Sequence, residues 1–189
     1  MNAIRQSWYY KMKQVIIYGG TSLLSIEYIQ KFHNEVDVFI VICRDLEKFK
    51  KKIFYFDENL KNKIKLYQID LLDLKKNISF LNSLQNHSLD GLFFVMGETG
   101  NPDEEIENTE KCNENYKINL IHPVLIINSL LPKLKKNSYI CVFTSLAGIR
   151  GRALRLFYCS AKAGLISYLS GLRQKLVKDN IAVINVIAG

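Results

Sequence analysis

The sequence predicts an α/β protein in which one parallel sheet carries helices on both faces. Short, almost continuously apolar runs alternate along the chain with longer segments in which apolar residues recur at helical spacing. Strands that are apolar throughout are typical of parallel sheets that are buried on both faces. Since crossovers between parallel strands are right-handed, such a chain is expected to wind into a doubly wound Rossmann sheet.

The first unit of the chain predicts a strand, a glycine turn and a helix. The run Val15–Tyr18 stops at Gly19 and Gly20, and helical spacing follows over Leu23–Phe32. The further predicted strands are Val36–Ile42, Ile64–Ile69, Leu92–Met96, Tyr139–Phe143 and Ile181–Ile187. The further predicted helices begin with a short one at Leu46–Phe49 and continue with Asp73–His87, Asn115–Leu134 and Phe157–Lys178. We expect an N-terminal arm over residues 1–13 and a single domain over residues 14–189.

The first strand-to-helix turn is a candidate phosphate site. In open α/β sheets ligands bind beyond the carboxyl ends of the strands, and a pyrophosphate lies at the first helix N-terminus. Here Gly19 opens the turn, Thr21 and Ser22 offer hydroxyls, and Leu24 follows them in the first helical turn. A glycine pair also serves any tight turn, so the pattern alone does not establish a nucleotide site.

The end of the second strand bears on which nucleotide would bind. An acidic residue there accepts from the ribose hydroxyls of NAD, whereas a basic residue pairs with the 2′-phosphate of NADP. Cys43 stands where the acid would be, and Arg44 follows it. This favours NADP(H) over NAD(H), although Arg44 could instead pair with Asp45 or Glu47 at a helix start.

Four polar residues in the second half of the chain predict a catalytic centre. Tyr158 and Lys162 are four residues apart, so on a helix they project from one face. An ammonium beside a tyrosine stabilises its phenolate and lets it exchange a proton near neutral pH. Ser145 follows the fifth predicted strand, where its hydroxyl can bond the same substrate oxygen. The fourth residue, Asn119, lies thirteen residues before Pro132, and the family resemblance described below gives this position its meaning.

These residues resemble the short-chain dehydrogenases/reductases over about residues 14–189. The resemblance is most specific in the segments Thr144–Arg152, Tyr158–Leu165 and Ser170–Arg173, which are similar to the branch containing the decaprenylphosphoryl-2-keto-ribose reductases. It implies a nicotinamide-dependent oxidoreductase that acts on a small-molecule carbonyl, in this branch a keto-sugar on a polyprenyl phosphate. Arg150 and Arg152 would then face an anionic substrate, or else be two surface arginines on a loop.

The resemblance also assigns roles to single residues. It implies that Asn119 supports a water relay to Lys162, which in turn reaches the nicotinamide ribose. Asp70 matches the family's aspartate near the adenine, and Leu71 is grouped with it; a helix or turn cap is the alternative for Asp70. Gly97 is what remains of the family's Asn-Asn-Ala-Gly at the end of the fourth strand. The helices that carry Asn119 and Tyr158 form subunit interfaces in relatives, so a homo-oligomer is expected.

The chain departs from the family pattern at three places. Leu23 and Ser25 replace two glycines of the first turn, and we expect their side chains to crowd a bound phosphate. The family's Asn-Asn pair is absent, and family members continue past Gly189 through a substrate-covering loop and a last strand. A non-catalytic or truncated relic that acts as a nucleotide-binding or interaction module is therefore the alternative to an enzyme.

Composition narrows the remaining classes. The net charge is +8, but the lysines are scattered among helix ends and connections without a nucleic-acid-binding signature, so we expect no nucleic-acid partner. The four cysteines show no metal or disulfide spacing, and we expect no metal site. No signal peptide and no apolar run of membrane-spanning length is present, which favours the cytoplasm.

Overall fold

The computed structural model describes residues 12–86 and 88–189. Residues 1–11 of the predicted arm lie outside this part of the chain. Within the described residues, six parallel strands form one sheet in the order β3-β2-β1-β4-β5-β6. The strands are β1 Gln14–Tyr18, β2 Val38–Cys43, β3 Ile64–Gln68, β4 Leu89–Phe94, β5 Leu134–Ser145 and β6 Ala182–Ala188.

Helices connect the strands and cover the sheet on both sides. They are α1 Leu23–Phe32, α2 Leu46–Lys52, α3 Glu58–Asn62, α4 Leu74–Ser83, α5 Pro102–Glu107, α6 Thr109–Tyr116, α7 His122–Leu130 and α8 Leu156–Lys175. A π-helical turn, Lys117–Ile121, joins α6 to α7, and short 3-10 turns lie at Leu131–Lys133, Leu146–Gly148, Ala153–Arg155 and Val177–Asp179. No helix in the two described ranges is long and apolar enough to span a bilayer.

Alternate residues of the central strand β1 point into two separate cores. Ile16 and Tyr18 belong to the cluster that includes residues of α4, α7 and α8. Val15 and Ile17 belong to the cluster that includes residues of α1, α2 and α3. Successive side chains of a strand point to opposite faces of the sheet, so neighbouring residues of β1 enter different cores. All four side chains are buried, because helices cover both faces. The predicted α/β class, a parallel sheet with helices on both faces, is thereby confirmed.

The predicted bounds of β4 are wrong by several residues. The strand begins at Leu89 and ends at Phe94, whereas the sequence predicted Leu92–Met96. Its start was missed because the polar Asp90 interrupts the apolar run from which the strand was predicted. The Asp90 carboxylate is partly buried and accepts hydrogen bonds from the Gln14 backbone N–H at 2.8 Å and from the Lys135 ammonium at 2.6 Å.

The long helix predicted over Asn115–Leu134 is also wrong, because it is divided and begins earlier. Its first part is α6, which the Asn108 side chain caps by accepting from two backbone N–H groups. Its last part ends at Leu130, before the 3-10 turn that contains Pro132. Leu134 already belongs to β5.

Smaller corrections concern element ends. The strands β2 and β6 begin two residues and one residue later than predicted, β3 ends one residue earlier, and β5 extends beyond the predicted Tyr139–Phe143 at both ends. The helices α4 and α8 stop at Ser83 and Lys175, short of the predicted His87 and Lys178. The short polar helices α3 and α5 were not predicted, because they carry almost no apolar period.

Candidate active site

A cavity of about 470 Å³ opens at the carboxyl ends of the strands. This is the edge of an open α/β sheet at which ligands bind, and the volume lies in the range of small-molecule sites. Every residue that the sequence predicted to contact the cofactor lines this cavity: Gly19, Thr21, Ser22, Leu24, Arg44, Asp70, Leu71, Gly97, Tyr158 and Lys162.

The glycine turn brings β1 close to the end of β4. Gly19 has a φ of +87°, and a Cβ there would overlap the Val95 carbonyl oxygen, so only glycine fits. Leu23 and Ser25, whose side chains were expected to crowd a bound phosphate, do not line the cavity. The Leu23 side chain is 70% exposed and outside the cavity, and the buried Ser25 hydroxyl donates to the Gly19 carbonyl oxygen at 2.9 Å.

The start of α1 presents polar groups to the cavity. Ser22 is the N-cap residue, yet its side chain makes no capping hydrogen bond, and both Thr21 and Ser22 line the cavity. The first N–H groups of a helix lack intrahelical partners and carry partial positive charge. This end of the cavity is therefore suited to an anionic group such as a phosphate.

Arg44 is exposed at the cavity wall beyond β2. The two partners considered for it are engaged elsewhere, because Asp45 caps α2 and Glu47 pairs with Lys50 at 2.8 Å. Across residues 12–86 and 88–189, no carboxylate forms an ion pair with the Arg44 guanidinium. A guanidinium without a protein partner at this place is available to an anionic ligand.

Asp70 and Leu71 form the wall beyond β3. The Asp70 carboxylate accepts from the Leu72 backbone N–H at 2.9 Å, so it caps a turn while it also lines the cavity. Leu71 is buried, and its carbonyl oxygen is 2.8 Å from the His122 ring nitrogen Nδ1. The two interpretations offered for Asp70, a turn cap and a ligand contact, are thus compatible.

Tyr158 and Lys162 lie together on α8, as their spacing requires. The Lys162 ammonium lies 5.6 Å from the centroid of the Tyr158 ring and donates to the Met96 carbonyl oxygen at 3.1 Å. Only 2% of Lys162 is exposed, and burial lowers its pKa from the ordinary 10.5 to about 8. In the described residues no carboxylate pairs with this ammonium.

The other two predicted catalytic residues lie next to the cavity and do not line it. Ser145 ends β5, and its Oγ accepts from the Ala147 backbone N–H at 3.2 Å, while its neighbour Thr144 lines the cavity. Asn119 is fully buried in the π-helical turn and lies behind Gly97. Such turns inside helices occur frequently at functional sites.

Met96 and Glu98 are among the cavity residues that were not predicted from the sequence. Met96 offers the carbonyl oxygen that accepts from Lys162, and Glu98 lines the cavity beyond Gly97. The Glu98 backbone N–H donates to Asn119 Oδ1 at 3.1 Å, and its carbonyl oxygen accepts from Asn119 Nδ2 at 2.8 Å. A residue that acts through its backbone can be of any type, so its identity does not reveal its role. The positions of Met96 and Glu98 on either side of Gly97 could nevertheless have indicated that they belong to the site.

Gly97→Ala is expected to displace the two side chains that face this glycine. A Cβ there would lie 2.8 Å from Lys162 Nζ and 2.9 Å from Asn119 Oδ1, which is closer than van der Waals contact allows. If the proposal below is correct, turnover should fall about a hundredfold, the effect expected of a displacement of about 1 Å at reacting groups. Gly171→Ala on α8 is the control, since a Cβ there meets nothing within 4 Å. Equal rates for the two variants would contradict a role for these positions.

The fold is a Rossmann-like α/β sheet, and its cavity has a buried lysine beside a tyrosine. The family model described as short chain dehydrogenase matches residues 13–189. The chain therefore belongs to the short-chain dehydrogenase family, a family of oxidoreductases that use nicotinamide cofactors. No curated protein matches it in sequence.

Solved structures share the fold at low sequence identity. A short-chain dehydrogenase from Streptomyces avermitilis is 17% identical with a TM-score of 0.80, and the match covers 93% of this chain and 65% of that one. A short-chain dehydrogenase/reductase from Vibrio parahaemolyticus is 17% identical with a TM-score of 0.76, covering 93% and 78%. BdcA, solved in complex with NADPH, is 18% identical with a TM-score of 0.73, covering 93% and 69%. The chain thus spans about two thirds of the length of the Streptomyces protein.

Proposed function

We propose that this chain reduces a ketone to an alcohol with NADPH, with Tyr158 as the proton donor. The observation that carries the proposal is the Lys162 ammonium, which is buried at the cavity beside the Tyr158 ring. A buried charge is costly unless it is used or paired. When bound, the nicotinamide would supply a hydride to the carbonyl carbon, and the oxygen of that carbonyl then needs a proton.

The chain's own residues account for the proton. The Tyr158 hydroxyl donates to the substrate oxygen, and the Lys162 ammonium stabilises the phenolate that is left. Ser145 would hold the same oxygen if its hydroxyl kept accepting from Ala147 N–H while donating its own proton to the substrate. Asn119, fixed by the Glu98 backbone, supports Lys162 from behind Gly97.

The proposal also assigns the rest of the cavity to the nucleotide. Thr21, Ser22 and the start of α1 would hold the pyrophosphate, and Asp70 with Leu71 would contact the adenine. Gly97 would allow the nucleotide to approach the backbone near Lys162, since a side chain there would collide with the lysine.

Two measurements test the function. The first is the shift of the unfolding midpoint with NADPH, because a ligand that binds only the folded chain raises it by mass action. The second is NADPH oxidation by the longest natural form of the protein with a panel of ketones that includes keto-sugars. A chain that is not protected by NADPH or NADH, and whose longest form oxidises neither, would not be the proposed enzyme.

Arg44→Ala is expected to weaken NADPH binding about tenfold and to leave NADH binding unchanged. The size is that of one charge-assisted hydrogen bond to a phosphate. The expectation rests on the Arg44 guanidinium at the cavity wall, which no carboxylate among the described residues pairs with. Titration calorimetry with both nucleotides measures it. Lys51→Ala is the control, because it removes the same charge from the exposed side of α2. Wild-type affinities that are equal for NADPH and NADH would overturn the NADP(H) assignment.

The buried lysine also favours the enzyme over the non-catalytic alternative. An interaction module gains nothing from an ammonium that is buried with a single backbone acceptor, the Met96 carbonyl. Replacement by an apolar residue would remove the desolvation cost. Retention of Lys162 in that position supports a catalytic use.

The substrate and the compartment belong to the same proposal. The resemblance of residues 144–173 to keto-sugar reductases supports a keto-sugar, and the exposed Arg150 and Arg152 are compatible with an anionic group on it. The free thiols of Cys43 and Cys141 are buried in strands, which suits a reducing compartment such as the cytoplasm. Self-association through the helices that carry Asn119 and Tyr158 stays a prediction.

A further inference from the structure

Behind Asn119, three buried polar side chains form a continuous chain of hydrogen bonds. Asn119 is fully buried, and only 4% of Asn115 and 5% of Glu105 is exposed. Asn119 Nδ2 donates to Asn115 Oδ1 at 2.9 Å, and Asn115 Nδ2 donates to the Glu105 carboxylate at 2.7 Å. The chain begins on α5 with Glu105, passes through α6 and ends in the π-helical turn at the active site.

The carboxylate fixes the orientation of both amides. An ionised carboxylate only accepts hydrogen bonds, so Asn115 must turn its NH₂ group toward Glu105 and its oxygen toward Asn119. Asn119 must then turn its own NH₂ group toward Asn115, which leaves Oδ1 to face the Gly97 and Lys162 side. The Glu98 backbone imposes the same orientation through its N–H and carbonyl groups.

Glu105 also holds the segment that follows β4. Gly100 has a φ of +68°, and a Cβ on it would overlap the Glu105 carboxylate, so the backbone here approaches that carboxylate closely. Asn115 Nδ2 lies 3.4 Å from the Thr99 carbonyl oxygen. The backbone that carries Gly97 and Glu98 is therefore held by the same pair of side chains that orients Asn119.

We propose that Glu105 and Asn115 are positioning residues, which hold Asn119 and the segment after β4 in the geometry that the active site needs. The inference rests on the proposed function for its effect on turnover, although its structural part does not. Neither residue lines the cavity, so we expect neither to contact the substrate. Their action passes through Asn119 and the Glu98 backbone.

Glu105→Ala tests whether the Glu105 carboxylate holds Asn115 and Asn119 in place. Exchanging the donor and the acceptor between residues 105 and 115 tests whether the orientation of the two amides matters. Removing the acceptor at residue 105 should lower kcat about tenfold with KM within about threefold, as expected for two groups in one hydrogen-bonded network. Glu105→Gln should keep most activity, because its amide oxygen can still accept from Asn115. Asn115→Asp places two acceptors face to face and should lose about as much as Glu105→Ala. The double variant Glu105→Gln with Asn115→Asp should recover, since Gln donates to Asp and Asp accepts from Asn119.

A readout that is independent of turnover separates this inference from the proposed function. In the free chain, hydrogen exchange of the Asn119 side-chain amide should speed up about tenfold in Glu105→Ala and in Asn115→Asp, and return in the double variant. Glu107→Ala, an exposed carboxylate on the same helix α5, is the matched control. If wild type turns over no ketone, the proposed function fails while the exchange rates still test the positioning.

The outcomes against the inference are equally specific. Exchange and kcat in Glu105→Ala that match those of Glu107→Ala would overturn it. So would a double variant that is no better than Asn115→Asp alone. If Asn115→Asp does not fold, Glu105→Ala compared with Glu105→Gln decides the matter, because Glu105 lies on a short surface helix whose other acidic side chains are exposed.

Discussion

Tyr158→Phe should lower kcat at least a hundredfold while the dissociation constant for NADPH stays within about threefold. The substitution removes only the proposed proton donor, and general acid catalysis contributes about a hundredfold or more to a rate. The partly buried ring stays beside the Lys162 ammonium, so the wall of the cavity keeps its shape. Steady-state turnover of a ketone and nucleotide titration of the same preparation measure the two quantities.

Tyr168→Phe is the matched control for this prediction. It also removes a hydroxyl from α8, but that hydroxyl donates to Asn128 at 2.9 Å, away from the cavity. Its kcat should equal that of wild type. A Tyr158→Phe enzyme that keeps its rate within about threefold would show that the proton comes from another group.

Lys162→Met should lower kcat about a hundredfold as well and remove a pH dependence of the wild type. Burial lowers the Lys162 pKa to about 8, so the ammonium predominates below that pH. The wild-type rate should therefore fall as the pH rises through about 8, because the charge that stabilises the phenolate is lost. Lys175→Met, an exposed lysine in the last turn of the same helix, should behave as wild type.

The lowered pKa of Lys162 also predicts how the stability of the folded chain changes with pH. The folded pKa of about 8 lies below the ordinary 10.5, so the unfolded chain binds more protons between these two pH values. Between pH 8 and 10.5 the free energy of unfolding should therefore increase with pH because of Lys162. Below pH 8 the buried ammonium destabilises the folded chain by its full cost. Denaturant unfolding of Lys162→Met across this range should lack that contribution, and an unchanged pH profile would contradict a buried, titrating ammonium.

Strong local signals made parts of the fold predictable. The helix Leu23–Phe32 was predicted to the residue, because an apolar strand, a glycine turn and an amphipathic helix follow one another without a break. The π-helical turn at Lys117–Ile121 was not predictable, since apolar spacing does not report a change of hydrogen-bond register. The start of α6 before Asn115 was missed for a different reason: its polar residues show no apolar face, and only the Asn108 cap marks where it begins.

The candidate site was predictable where side chains converge from regular elements. Tyr158 and Lys162 share a helix, and their spacing alone places them together. Glu105 and Asn115 come together across a loop and two short helices, and no sequence period links residues that meet in this way. Their pairing depends on the tertiary path of residues 98–108, which the sequence did not predict.

Ser25 affects how much backbone a ligand would have to order when it binds beside the first turn of α1. A glycine at that position would give the unfolded chain more conformations. A non-glycine residue that fits the helix lowers this entropy and stabilises the folded chain by about 0.4–1 kcal/mol. The Ser25 hydroxyl in addition ties the first turn of α1 to the Gly19 carbonyl oxygen. The turn beside the cavity is thus ordered by the protein itself, so that the phosphate of the proposed nucleotide would have less backbone freedom to remove and would bind at a smaller entropic cost.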